Sequence, residues 1–244
     1  MEDNLKRVNK FLSESGFCSR READKLIDAG RVKINGKVPE MGTKVGPNDK
    51  VEVDGKLISE PKEDFVYLLL NKPVGIECTT NLSTKKNIID YMNYPKRIFP
   101  VGRLDKYSEG LIIMTNDGDI VNKILRARNN HEKEYIVTLN KPITDQFIKK
   151  MGNGIPILDT VTKKCKVEKM GKYMFKIILT QGLNRQIRRM CEYLDFEVQS
   201  LRRIRIMNIK LDVPYGKFRE ITKAEMKQLN DLIGDSSKTE EASW

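Results

Sequence analysis

Residues 100–119 read Pro100-Val-Gly-Arg103-Leu-Asp105-Lys106-Tyr-Ser-Glu-Gly110-Leu-Ile-Ile-Met114-Thr-Asn-Asp-Gly-Asp119. The apolar run Leu111 to Met114 is too short for a buried helix, so it reads as a strand covered on both faces. Just before it, one carboxylate, Asp105, stands between Arg103 and Lys106. Gly102 and Gly110 bracket that segment and suit a sharply turning loop whose backbone comes close to a ligand. After the strand, Asp117-Gly118 turns the chain into a helix over 119–126, with Ile120, Val121, Ile124 and Leu125 as its apolar stripe. A reactive group at the mouth of a buried strand is how a fold presents chemistry.

Working outward, Phe65 to Leu70 is a second continuous apolar run, hence a second central strand, and Asn71 to Gly75 turns the chain. Residues 79–90 are loop-like, and 88–94 is a short helix halted by Pro95. Lys133 to Leu139 alternates as a strand, with Tyr135 and Val137 on one face. Thr144 caps a helix through Met151, ended by Gly152 and Gly154. Strands follow over 155–158, 162–169 and 173–180. Residues 184–194 form a helix that buries Ile187, Met190, Cys191 and Leu194. Two more strands, 198–206 and 207–211, precede an amphipathic helix over 222–233, and the tail 235–244 is expected to be disordered. This mixed order of strands and helices, unlike a regular βαβ alternation, gives an α+β class.

The first sixty residues differ in texture. Leu5, Val8, Phe11 and Leu12 recur at helical spacing, predicting a short helix that ends near Gly16. Ser19 and Glu22 make a capping box, and a second helix runs to Ala29 before Gly30 stops it. Arg20 and Arg21 sit on its first turn, against the macrodipole, where a bound anion would explain them. Asn35-Gly36 and Asp54-Gly55 are hairpin turns between short strands. The polar, proline-containing stretch around 61–64 is the expected linker, dividing the chain into 1–60 and 65–234.

Composition narrows the function. The 244 residues carry a net charge of +11, with 39% hydrophobic and 32% charged residues. Residues 1–62 hold 13 Lys/Arg against 11 Asp/Glu, a net of +2, so +9 of the +11 falls on the rest. A polyanion, most often nucleic acid, is the expected partner. No apolar run approaches the ~20 residues needed to cross a bilayer, and the acidic, polar start lacks the apolar core of a secretory signal, so a cytoplasmic protein without membrane contact is expected. Four scattered cysteines and a single histidine, His131 in a segment that reads as solvated loop, argue against a zinc site or a serine triad. Chemistry must run on carboxylates, tyrosines and cations, with no metal or cofactor expected. Between 182 and 206, six arginines (Arg185, Arg188, Arg189, Arg202, Arg203 and Arg205) face three acids, a density that suits a phosphate-lined groove. An aspartate beside a cation in such a groove can act as nucleophile or stabilise a developing cation at a sugar carbon. A base inside folded RNA must first be flipped out. An arginine could then fill the gap, and Tyr135 could stack on the pyrimidine or relay a proton.

Two resemblances sharpen this. Arg-Val-Asn-Lys-x-Leu followed by Gly-x-Cys-Ser-Arg-Arg-x-Ala-x-x-x-Ile-x-x-Gly-x-Val-x-Ile-Asn-Gly, over roughly 5–60, resembles the S4 RNA-binding domain, two helices plus short strands. The resemblance implies RNA contacts at Arg7, Lys10, Ser19, Arg20, Arg21 and Asn35. Gly-Arg-Leu-Asp, a later Lys-x-Tyr, and Gln-Gly-x-x-x-Gln-x-Arg-Arg-Met resemble the small- and large-subunit rRNA pseudouridine synthases. Asn-Asp-Gly-Asp-Ile-Val-Asn-Lys-Ile-Leu-Arg, Thr-Val-Thr-Lys-Lys-Cys-Lys-Val and Gln-Gly-Leu-Asn-Arg-Gln-Ile-Arg-Arg-Met-Cys most resemble the F subgroup of large-subunit enzymes. That likeness implies a mixed, mainly antiparallel sheet with flanking helices and a cofactor-free isomerisation of a uridine in 23S rRNA, with a tRNA uridine as alternative. By position, Asp105 would be catalytic, Arg103 would occupy the vacated stack, Tyr135 would stack, and Arg188 would pair with the aspartate. Arg185, Gln186 and Arg189 would meet RNA. Many relatives read Gly-Arg-x-His-Gln where this chain has Gly182-Leu-Asn-Arg-Gln186, which leaves Arg185 as runner-up for the pairing role. The subgroup can carry a long basic tail, and this sequence ends in a short, mildly acidic one. Nothing in the sequence asks for an obligate dimer, so a monomer is expected. The rivals are a non-catalytic RNA-binding or assembly factor, which intact Asp105, Tyr135 and Arg188 argue against, and a nucleoside hydrolase, which would release free base. Removal of residues 1–60 is expected to weaken RNA binding, measured by titration, more than it slows the chemical step in single-turnover assays; an unchanged affinity would count against the S4 reading.

Overall fold

The computed structural model describes residues 5–59, 65–125 and 130–234. The expected linker and the expected disordered tail lie outside the described residues. The chain divides into two compact units that meet between Phe65 and Val66.

The first unit contains β1 (Lys6–Arg7), α1 (Val8–Glu14), α2 (Arg20–Asp28), β2 (Val32–Ile34), β3 (Lys44–Val45), β4 (Val51–Val53) and β5 (Lys56–Ile58). The helix expected to include Leu5 starts only at Val8, because Lys6 and Arg7 pair with Val45 and Lys44, and Leu5 is left 50% exposed. Ser19 and Glu22 cap α2 reciprocally as the sequence indicated. Asn35-Gly36 and Asp54-Gly55 all take positive φ, between 50° and 81°, the left-handed pair that closes a two-residue hairpin. The first hairpin continues only as a single Ile34–Lys37 bridge, and the ladder partner of β2 is β4. Val8, Leu12, Ala23, Ile27, Val32, Val51 and Val53 form the core of the unit.

The second unit contains β6 (Tyr67–Lys72), α3 (Ile88–Met92), β7 (Phe99–Val101), β8 (Glu109–Thr115), α4 (Gly118–Leu125), β9 (Lys133–Leu139), α5 (Asp145–Gly152), β10 (Pro156–Ile157), β11 (Thr160–Val161), β12 (Lys166–Lys169), β13 (Met174–Leu179), α6 (Gln186–Tyr193), β14 (Val198–Ile206), β15 (Ile209–Lys210), β16 (Phe218–Glu220) and α7 (Lys223–Ile233). Its main sheet runs β12-β13-β9-β14-β8-β6-β16, with β7 added to β8 and β15 to β14. Among the strand pairs of the described residues in this sheet, β14–β8 alone is parallel. Because side chains alternate along a strand, the apolar runs of β6 and β8 split between two cores. Leu68, Leu70, Ile112 and Met114 join Val137, Phe175 and Met190 of α6 on one face. Leu69, Leu111 and Ile113 join Ile120 and Ile124 of α4 and Leu229 and Ile233 of α7 on the other.

Several local expectations shift. β6 starts at Tyr67, leaving Phe65 60% exposed, and continues through Asn71 and Lys72, both fully buried, where a turn was expected. Pairing with β8 carries it on, Lys72 lying opposite Gly110; Asn71 Nδ2 donates to Val213 O, and Lys72 Nζ to Pro73 O and Ile76 O, while Asn71 Oδ1 is buried without a hydrogen bond. Met207 turns the chain at φ 52° instead of starting a strand, so only Ile209–Lys210 returns along β14. His131 is buried, its Nδ1 3.1 Å from Ile124 O, and does not sit in a solvated loop. Strands β7 and β16, three residues each, are too short to leave a periodic signature.

Gly110, at φ 103°, faces the β14 backbone directly: a Cβ there would lie 2.3 Å from Arg203 O and 2.8 Å from Arg203 N. Both partners are backbone and cannot swing aside. Gly110→Ala is expected to cost on the order of 3 kcal/mol or more, read by urea unfolding of the full chain; a neutral result would contradict this close approach.

Candidate active site

The site is built on the loop between β7 and β8. Gly102 enters it at φ 76°, with a Cβ position 2.9 Å from Leu125 Cδ2. Beyond it, almost every residue is tied down through its backbone. Arg203 Nη1 reaches Arg103 O at 3.5 Å, Leu104 N–H donates to Cys78 Sγ at 3.4 Å, and Ser108 N–H donates to Asp105 O at 3.0 Å. Gly75 N–H donates to Lys106 O at 2.7 Å, and Arg188 Nη2 donates to Tyr107 O at 3.0 Å and Ser108 Oγ at 3.3 Å. The Asp105 side chain is 37% exposed between buried Leu104 and the exposed side chains of Lys106 and Tyr107, and Ser108 beyond them is buried.

Arg188 of α6 is the central cation. Its Nη1 donates to Val198 O at 3.2 Å, and its side chain is 12% exposed. Its Nε lies 3.9 Å from Asp105 Oδ2 and, although buried, makes no hydrogen bond. At that separation the pair attracts but is too long to be a hydrogen bond, so the Asp105 oxygens stay available to a ligand. The runner-up, Arg185, points elsewhere: it occupies the N-cap of α6 in left-handed conformation, with Nη2 3.9 Å from Glu192.

Register places a row of side chains beneath this loop. Tyr135 on β9 lies opposite Arg203 on β14, Arg203 opposite Gly110 on β8, and Gly110 opposite Lys72 on β6. By alternation the row shares the sheet face of Leu70, Ile112 and Val137, the face that α6 covers. Tyr135, Arg203 and Lys72 are all buried. Arg203 Nε donates to Leu111 O at 2.7 Å, and its Nη2 is buried without a hydrogen bond. Burial lowers the pKa of Lys72, with Arg203 pushing the same way and Cys78 and Asp105 opposing it. Lys133, in the same strand as Tyr135, is lowered to about 8 by burial and by Arg203. The sequence reading did not single out Lys72 or Lys133, and counted Arg203 only as one arginine of the groove. A lysine following an apolar strand and preceding Pro73 was the available signal for Lys72.

The expected six-arginine groove does not form as such. Arg203 is interior, and Arg205 bonds Glu134 Oε2 at 2.6 Å and Glu132 Oε2 at 2.8 Å. Arg189 folds back on Asn184 through its backbone and side-chain oxygens, leaving Arg202 exposed on β14. Gln186, expected to meet RNA, is buried: its Oε1 accepts from Leu183 N–H and its Nε2 lies 3.8 Å from Met190 Sδ. Arg103 is exposed at the loop surface. In the first unit Arg7, Arg20 and Arg21 are exposed, while Lys10 lies 3.4 Å from Glu14. Ser19 is occupied in the cap, and the Asn35 amide ties Asp49 Oδ1 to Lys50 N–H.

Comparison with known proteins agrees on both units. Residues 66–193 match the family described as RNA pseudouridylate synthase, and residues 6–51 match the S4 domain. The dual-specificity RNA pseudouridine synthase RluF of Salmonella typhi is 58% identical over 97% of this chain and 83% of its own length. The ribosomal large subunit pseudouridine synthase B of Bacillus subtilis is 34% identical over 93% of this chain and 97% of its own length. A crystal structure of a pseudouridylate synthase superposes with a TM-score of 0.68 at 29% identity, covering 91% of this chain and 99% of that one.

Lys133 makes the site's burial measurable. Below about pH 8 the lysine is charged in both folded and unfolded chains, and its burial penalty is fully present. Between about 8 and its ordinary 10.5 the folded protein has shed a proton that the unfolded chain keeps, so stability rises with pH. The rise is on the order of 3 kcal/mol, and it should largely vanish in Lys133→Met when urea unfolding is compared at pH 7.5 and 10. Parallel profiles for the two proteins would show that Lys133 is solvated.

Proposed function

This chain belongs to the RNA pseudouridine synthase family, and from that premise we propose that Asp105 converts one uridine of large-subunit ribosomal RNA to pseudouridine, with a second RNA class as an additional substrate. The observation that carries the role of Asp105 is its partly exposed carboxylate on a backbone hydrogen-bonded at six consecutive residues, Arg103 to Ser108, with Arg188 Nε 3.9 Å away. The relatives named for the large ribosomal subunit and for dual specificity support the choice of substrate.

The reaction breaks the bond from uracil N1 to the sugar C1′, turns the base in place and joins C5 to C1′. The proton lost from C5 is balanced by one gained at N1, so no oxidant, reductant or leaving group enters. A carboxylate can serve by attacking the ring, attacking C1′ or taking a sugar proton, and all three need it close to the sugar and fixed in direction. Arg188 sets that direction: it grips the loop at Tyr107 and Ser108 while its Nε holds negative charge at Asp105. Tyr135, in the row beneath, stacks on the flipped uracil, and exposed Arg103 fills the place the base leaves in its helix. The exposed Arg7, Arg20 and Arg21 of the S4 unit meet the RNA backbone.

Asp105→Asn is expected to abolish pseudouridine formation on a 23S rRNA fragment while RNA affinity stays within about threefold; residual activity near that of the parent would remove Asp105 from the chemistry. Arg188→Lys keeps a charge but loses the fork that grips the loop, and about a hundredfold loss in kcat/KM is expected. Mapping pseudouridine in ribosomal and transfer RNA from cells lacking the gene identifies the substrate; a full set of pseudouridines in both would overturn the assignment.

A further inference from the structure

Beside the catalytic loop lies a group of aromatic side chains that the reaction described above does not use. Tyr215 is 55% exposed, Phe218 43% and Tyr91 39%, with Val74 among them at 47%. Exposed tyrosines usually wave in solvent, but these are fastened by their hydroxyls. Tyr215 Oη accepts from Val74 N–H at 2.8 Å, and Tyr91 Oη donates to Gly216 O at 2.8 Å. Phe218 meets Tyr94 edge to face at 6.2 Å. The turn that carries Tyr215 is itself anchored, since Gly216 N–H donates to Asn71 O and Asn71 N–H to Lys217 O, both at 2.9 Å. Gly216, at φ 76°, admits the Tyr91 hydroxyl where a Cβ would stand 2.7 Å from it.

The group is continuous with the active site. Val74, which holds Tyr215, precedes Gly75, whose N–H bonds Lys106 O, and Lys106 follows Asp105. Lys106 and Lys217 are exposed on this surface. Of its nearby acids, Asp212 is engaged by Arg219 and Asp90 accepts from Asn87 Nδ2, while Glu220, two residues beyond Phe218 on β16, is exposed. Rings fixed by their polar ends with exposed faces lose little side-chain entropy when a flat ligand stacks on them. Aromatic faces interleaved with lysines suit unpaired nucleotides, because every base has a π-face and the lysines meet the phosphates. A uridine delivered to Asp105 brings its neighbours along the strand to this surface.

Resting on the assignment of Asp105 to RNA isomerisation, we propose that Tyr215 and Tyr91, with Lys106 and Lys217, form a stacking platform for unpaired nucleotides flanking the target uridine. The platform selects a uridine in a loop or bulge over one in a continuous duplex.

The full chain carrying Asp105→Asn, which leaves the uridine intact, is titrated with a stem–loop RNA that the unsubstituted enzyme is first shown to convert. Adding Tyr215→Ala is expected to weaken binding about tenfold, the low end for one base stacked on one ring. Tyr215→Phe, which keeps the ring, should retain most of the affinity. Replacing loop nucleotides one at a time by abasic residues should find one position at which the Tyr215→Ala penalty disappears. Tyr215→Trp gives a readout independent of the alanine variant's folding: its fluorescence should be quenched by the stem–loop and recover with the RNA abasic at that position. The platform is overturned if the alanine variant binds as tightly as its parent, if the penalty persists at every abasic position, or if the tryptophan emission ignores the RNA. Failure of the unsubstituted enzyme to make pseudouridine would instead strike the isomerase assignment, so the two failures are separable.

Discussion

A single guanidinium, that of Arg188 on α6, ties the loop that carries Asp105 to the start of β14. It donates to Tyr107 O and Ser108 Oγ in that loop and to Val198 O on β14, and its Nε lies 3.9 Å from Asp105 Oδ2. Fixing a loop backbone costs about 1–2 kcal/mol per residue in conformational entropy, and hydrogen bonds from a charged donor, at roughly 1.5–3 kcal/mol each, are the type of contact that offsets it. The arginine also keeps one nitrogen without a hydrogen bond, facing the carboxylate. Structural and electrostatic duties thus fall on different edges of the same flat group. A lysine could supply the charge but could not span the three attachments.

Beneath the loop the sheet concentrates positive charge in its interior. Lys72 and Arg203 are buried in one row, with Lys133 nearby on β9. Such burial opposes the charged form, as the lowered pKa of both lysines shows. Backbone oxygens compensate in part: Pro73 and Ile76 for Lys72, Leu111 and Arg103 for Arg203. The loop carbonyls therefore have cationic partners below, while Asp105 is left at the surface above a positive interior. A positive interior beneath a carboxylate offsets the repulsion that the phosphates of an approaching RNA would exert on it.

The same accounting explains why counting arginines misleads. Arg205 sits between Glu132 and Glu134, Arg219 between Asp212 and Glu225, and Arg189 returns to its own loop. Each is strongly satisfied within the protein, so net charge overstates the cations that can meet a phosphate. Arg103, Lys106, Arg202 and Lys217 are among the cations exposed at the surface of the second unit, two of them bracketing Asp105 in sequence.

The amino-acid sequence by itself determined the elements whose signals are local. The capping box at Ser19, the Asn35-Gly36 and Asp54-Gly55 turns, the alternation around Tyr135 and the apolar run after Asp105 all depend on neighbours within a few residues. The motif order around Asp105, Tyr135 and Arg188 also carried the family, because its spacing survives independently of packing. Only the tertiary structure decided that Lys72 enters a strand, that Arg203 is interior, that Gln186 and His131 are buried, and that Arg188 rather than Arg185 lies beside the aspartate. Those outcomes depend on register between strands far apart in the chain. A local window contains neither the strand that lies opposite nor the carbonyl that will receive a buried cation.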